Sequence, residues 1–122
     1  MQNKKSKKKA QKVDINWNAK QAKQLIEAFL KIKNADEAKR FLRDLMTIGE
    51  IEEFSNRLEA AKMLSEDTQY NAIIEKTGLS STTVARISKW LKGPLGGYRL
   101  ILNKLHHSPS QNSTGKGLRS YS

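Results

Sequence analysis

A chain of 122 residues with 37% hydrophobic content, no cysteine and a formal net charge of +11 has room for one domain with a modest core. That composition excludes disulfide and thiolate chemistry. With no apolar run near the ~20 residues of a membrane span and no apolar stretch behind the charged start, it predicts a cytoplasmic, nucleoid-associated protein. The excess of 23 Lys and Arg over 12 Asp and Glu makes a nucleic-acid partner the leading expectation.

Residues 1–14, MQNKKSKKKAQKVD, have almost no apolar content and are expected to form a disordered basic tail. Such an arm either adds phosphate contacts or serves only solubility. From residue 15 to residue 106 the apolar periodicity is helical throughout. A first helix over residues 18–32 places Ala22, Leu25, Ile26, Phe29 and Leu30 on one face. Asn34, with Glu37 three residues on, caps a second helix carrying Phe41, Leu42, Leu45 and Met46. Thr47-Ile48-Gly49-Glu50 is a capping box that opens a longer third helix, with an apolar line through Ile51, Phe54, Leu58, Ala61 and Leu64. Glu66-Asp67-Thr68 breaks that line.

Residues 70–91, YNAIIEKTGLSSTTVARISKWL, carry the most information. A helical pattern through Ile73 and Ile74 stops at Thr77-Gly78 and restarts after Leu79-Ser80 with Val84, Ile87 and Leu91. Gly78 can take the positive φ of a sharp turn, and Ser80 is a good N-cap. This is the pattern of a helix-turn-helix, whose second helix enters the DNA major groove. Ile74 departs from it, because many such motifs place a small Ala four residues before the turn glycine. The run Lys92-Gly93-Pro94-Leu95-Gly96-Gly97 ends the recognition helix, and a last helix over residues 98–106 uses Tyr98, Ile101, Leu102 and Leu105. Residues 107–122, HSPSQNSTGKGLRSYS, form a second, polar tail expected to be disordered. Six helices, no strand and no internal repeat define an all-α fold.

Charge is divided along this plan. Residues 15–67 sum to −1, whereas residues 68–107, with the helix-turn-helix, sum to +5. The expected DNA contacts are Ser80, Ser81, Thr82 and Thr83 at the start of the recognition helix, with Arg86, Lys89 and Lys92 further along. Hydroxyls and backbone amides at a helix start suit phosphates, and Arg suits guanine. Two alternatives use the same residues: a nucleoid or RNA-binding protein with little sequence preference, and a protein-interaction module with a purely structural helix-turn-helix. The first three helices expose more apolar face than a single protomer of this size covers, which predicts a two-fold homodimer. Its two recognition helices would lie about 34–36 Å apart on one DNA face.

The run Leu45-Met46-Thr47, Asn56-Arg57-Leu58, Thr77-Gly78, Thr83-Val84-Ala85-Arg86 and Leu91-Lys92 resembles the tryptophan operon repressor family. EFSNRLEAAKML and GGYRLILNKL look typical of its less characterised branch of small bacterial repressor-like proteins. The resemblance covers about residues 20–106. It implies an all-α, intertwined homodimer in which the N-terminal helices of both protomers build a shared core. It also implies that Thr47, Arg57 and Arg86 match the Thr and two Arg that surround the amino acid in tryptophan-binding members. Two guanidinium groups can bracket an indole or hold a carboxylate. However, Ile87 and Trp90 stand where those members have Gly and Ser. Both changes fill space at the pocket and argue against tryptophan as effector, and the Trp90 indole could itself occupy part of that space. For Arg57, the local alternative is an i,i+4 ion pair with Glu53.

Enzymatic chemistry finds no support. The sequence has no phosphate-binding Gly-rich loop, no HExxH, no GxSxG and no Cys nucleophile. His106 and His107 adjoin the polar tail and lack the further ligands a metal needs. No cofactor is expected.

Overall fold

Side-chain caps at Asn34, Thr47 and Ser80 mark where three of the helices begin. In the computed structural model, which describes residues 14–107, the helices are α1 (Lys20–Lys31), α2 (Ala35–Leu45), α3 (Ile48–Ser65), α4 (Tyr70–Thr77), α5 (Ser81–Leu91) and α6 (Gly97–His106). No strand occurs among the described residues. The fold is all-α, and none of these helices is long and apolar enough to cross a membrane. Apart from Asp14 and His107, the tails expected at residues 1–14 and 107–122 lie outside the described residues.

Each expected cap is made. Asn34 Oδ1 accepts from the Glu37 amide at 2.9 Å, and Glu37 Oε1 accepts from the Lys33 amide at 3.0 Å. At α3 the box is reciprocal. Thr47 Oγ1 accepts from Glu50 N and Glu50 Oε1 accepts from Thr47 N, both at 3.0 Å. The break at Glu66-Asp67-Thr68 is a Schellman end. Asp67 takes the left-handed φ of 62°, its amide donates to Leu64 O and the Thr68 amide donates to Met63 O, both at 3.0 Å.

The chain divides after Leu45 into two units. In the first, α1 and α2 are amphipathic, yet neither contains a buried residue. Between them Phe29 and Phe41 form an edge-to-face pair, with ring centroids 5.7 Å apart. In the second unit α3 is the central helix, and α4, α5 and α6 all pack against it. The core consists of Ala60 and Ala61 from α3, Ile73 from α4, Leu79 from the turn, and Val84 and Ile87 from α5. Met63, Leu64, Ile74, Tyr98 and Leu102 pack around it. Full burial of Ile73, Val84 and Ile87 is worth roughly 1.5–3 kcal/mol each.

Tyr98 brings the first turn of α6 onto this core, half-buried. Burial pushes its hydroxyl above the ordinary value of 10.0, with the Arg57 charge acting in the opposite sense. The folded state therefore favours the neutral phenol. That stability is fully present below pH 10.0 and is lost as pH rises through the folded-state value. Tyr98→Phe is expected to flatten the alkaline fall of Tm above that pH relative to wild type. An alkaline limb identical in both proteins would show that the phenol ionises without cost to the fold.

Candidate nucleic-acid interface

Three side chains and one backbone geometry build the turn between α4 and α5. The buried Thr77 hydroxyl donates to Ile73 O at 2.7 Å and accepts from the Leu79 amide at 3.3 Å. Gly78 takes φ 74° and donates its amide to Ile74 O at 2.8 Å. A Cβ there would meet nothing within 4 Å, so glycine is needed for its backbone freedom rather than for space. Leu79 then enters the core, and Ser80 caps α5 by accepting from the Thr83 amide at 3.1 Å.

Close approach of α4 and α5 to α3 is made possible by Ala60 and Ala61, both fully buried. Ile74, where a small residue is common in such motifs, is only partly buried and packs against the edge of the core.

The residues assigned to DNA contact separate into two groups. Ser80 and Thr83 belong to the cap, since the Ser80 hydroxyl also donates to Thr83 Oγ1 at 2.9 Å. Ser81, Thr82, Arg86, Lys89 and Lys92 are exposed on or just after α5. Val84 and Ile87 anchor the opposite face of the same helix in the core. Among the described residues, no carboxylate pairs with Arg86, Lys89 or Lys92. The positive N-terminal end of α5 and this row of cations thus share one accessible face.

Thr47 caps the start of α3, Arg57 lies further along the same helix, and Arg86 lies on α5. Thr47 and Arg57 stand ten positions apart at α3, about 15 Å along its axis at 1.5 Å per residue. Arg57 is held on its own helix. Its Nε and Nη2 reach Glu53 Oε2 at 3.1 and 2.9 Å, and its guanidinium lies 5.5 Å from the Phe54 ring centroid. The expected i,i+4 pair with Glu53 is therefore present. Ile87 is fully buried, and Trp90 remains 50% exposed at the edge of the solvent-facing side of α5.

One contributor has no counterpart among the residues read from sequence. Arg99, from the first turn of α6, donates from Nη1 to Leu91 O at 2.6 Å and to Gly93 O at 2.9 Å. Its acceptors are backbone carbonyls six and eight residues earlier, which leave no pattern of residue types to read.

The profile of the Trp repressor protein family matches residues 20–106. The uncharacterised protein YerC of Bacillus subtilis (strain 168) is 34% identical over 95 residues, covering 78% of this chain and 91% of its own. Among solved structures, a TrpR-like protein from Eubacterium eligens ATCC 27750 aligns with a TM-score of 0.70 at 38% identity, covering 75% of this chain and 94% of that one. A candidate Trp repressor from Staphylococcus aureus aligns with a TM-score of 0.65 at 32% identity, covering 69% and 84% respectively.

Proposed function

The chain belongs to the Trp repressor protein family, and from that premise we propose that it is a homodimeric, sequence-specific DNA-binding transcriptional regulator. It docks α5 in the major groove. The observation that carries this reading is the helix-turn-helix itself. A core-anchored helix presents Ser81, Thr82, Arg86 and Lys89 to solvent, with no carboxylate paired to either cation among the described residues. In this reading residues 15–106 form the DNA-binding domain and the segments 1–14 and 107–122 flank it.

Dimerisation is supported by the first unit, where two amphipathic helices have no buried residue of their own. An effector pocket would draw on Thr47 at the start of α3, Arg57 further along it and Arg86 of α5. The bulk of Ile87 and Trp90, at positions where the resemblance to tryptophan-binding members implies Gly and Ser, argues against tryptophan as the effector.

Selection of bound duplexes from random DNA, with and without free amino acids, tests the reading. A single enriched motif with two-fold symmetry is expected. Arg86→Ala should weaken binding of that motif by about 10–100-fold, the cost of one good base contact. Lys89→Ala should weaken all duplexes alike and lower the salt slope by about one. Equal binding of motif and random duplex at about 150 mM salt would favour the nucleoid-type alternative.

A further inference from the structure

The recognition helix ends at Leu91, where its last carbonyls would otherwise lack partners. Two local bonds close the final turn: the Lys92 amide donates to Ser88 O at 3.3 Å and the Gly93 amide to Trp90 O at 3.0 Å. Arg99 supplies what the backbone does not. One nitrogen, Nη1, donates to both Leu91 O and Gly93 O, at 2.6 and 2.9 Å. A cation is also the favourable charge at the negative end of a helix dipole.

The loop is shaped around this guanidinium. Gly96 takes φ 70°, and a Cβ placed on it would lie 2.8 Å from Arg99 Nη2. Glycine at that position therefore meets two requirements, a left-handed backbone and a seat for the arginine. Arg99 belongs to α6, whose Tyr98 and Leu102 pack on the core, so its guanidinium links the end of α5 to a fixed helix.

We propose that Arg99 is a positioning residue for DNA binding. Its guanidinium caps the C-terminal end of the recognition helix, holding the final turn of α5, and it does not contact phosphate. A side chain at Gly96 would crowd that guanidinium. This assignment rests on the reading of α5 as the DNA-docking helix, and one of its two readouts is independent of DNA.

The experiment compares full-length wild type with Arg99→Gln, Arg99→Lys, Gly96→Ala and, as a phosphate-contact control, Lys89→Ala. The first readout is amide hydrogen exchange at Lys92 and Gly93. The second is the affinity for the selected duplex as a function of salt. Arg99→Gln should speed exchange at both amides severalfold and weaken the duplex severalfold, with a salt slope equal to wild type. Arg99→Lys, which keeps the charge but loses the planar guanidinium that bridges two carbonyls, should fall between. Gly96→Ala should reproduce the Arg99→Gln phenotype, and combining the two should add little. A salt slope reduced by about one with unchanged exchange would make Arg99 a phosphate contact and overturn the proposal. Unchanged exchange alone would overturn the cap. If wild type binds no duplex at all, the DNA reading of α5 fails and the positioning role with it. The exchange data then still decide whether Arg99 caps the helix.

Discussion

Placing Glu at Ile26 and Lys at Leu30 together is expected to convert the proposed dimer to a monomer at micromolar concentration. Operator affinity should fall by about 10²–10⁴-fold, the loss that follows when two linked sites no longer bind together. The reason lies in the first unit. Within one protomer Ile26 is 42% and Leu30 is 78% exposed, and no residue of α1 or α2 is buried. Amphipathic helices of this length owe their stability to tertiary packing of the apolar face. Because that face is not buried within the first unit, we propose a second copy as its cover. The pair is chosen to leave the helix itself intact: Glu four residues before Lys favours a helix, and the Phe29–Phe41 contact is untouched. Sedimentation velocity gives the mass, and competition binding at fixed salt gives the affinity. A variant that stays dimeric and binds as wild type would remove the α1 face from the interface.

Where the determinant is local, the sequence is easily read. Thr47 with Glu50, Asn34 with Glu37, and Ser80 before Thr83 form bonds from side chain to backbone over three residues, so residue type and spacing suffice. Gly78 likewise announces its own left-handed turn. The family resemblance, drawn from Thr47, Arg57, Thr77-Gly78 and Arg86 among others, agrees with the matched residues 20–106. The limits of α1 and α6 differ from their expected positions by one or two residues. Ile32 adopts an extended backbone, and Gly97 is already helical behind the left-handed Gly96.

What the sequence does not show depends on partners distant along it. The apolar line expected on α3 runs through Phe54, Leu58 and Ala61, yet within one protomer the burial falls on Ala60 and Ala61 while Phe54 and Leu58 stay exposed. Periodicity identifies a stripe; only the neighbours decide which part of it is covered. At the interface the same limit appears twice. Residue type marks Ser80 and Thr83 as DNA contacts, and their hydroxyls also bond to each other and to the helix start, a second role that residue type alone does not separate. Arg99 carries no such mark, because its acceptors are carbonyls, which every residue has.

Truncating Ile87 to Ala should lower the unfolding free energy by about 2–5 kcal/mol, the usual cost of emptying a large aliphatic site in a packed core. Trp90→Ala, by contrast, should change it by about 1 kcal/mol or less. The two residues stand where the resemblance to tryptophan-binding members implies small ones, but they sit in different environments. Ile87 is fully buried among residues of α3, α4 and α5, and Trp90 is 50% exposed. A residue enclosed in its own core is first a structural element. Its loss should also loosen the attachment of α5 to α3 and weaken DNA binding through the fold. Denaturant titrations at one fixed protomer concentration measure both values, since the stability of a dimer depends on that concentration. Equal losses for the two variants would mean that the Trp90 indole is covered in the assembled protein, which would place it at an interface or in the effector space rather than on the open face of α5.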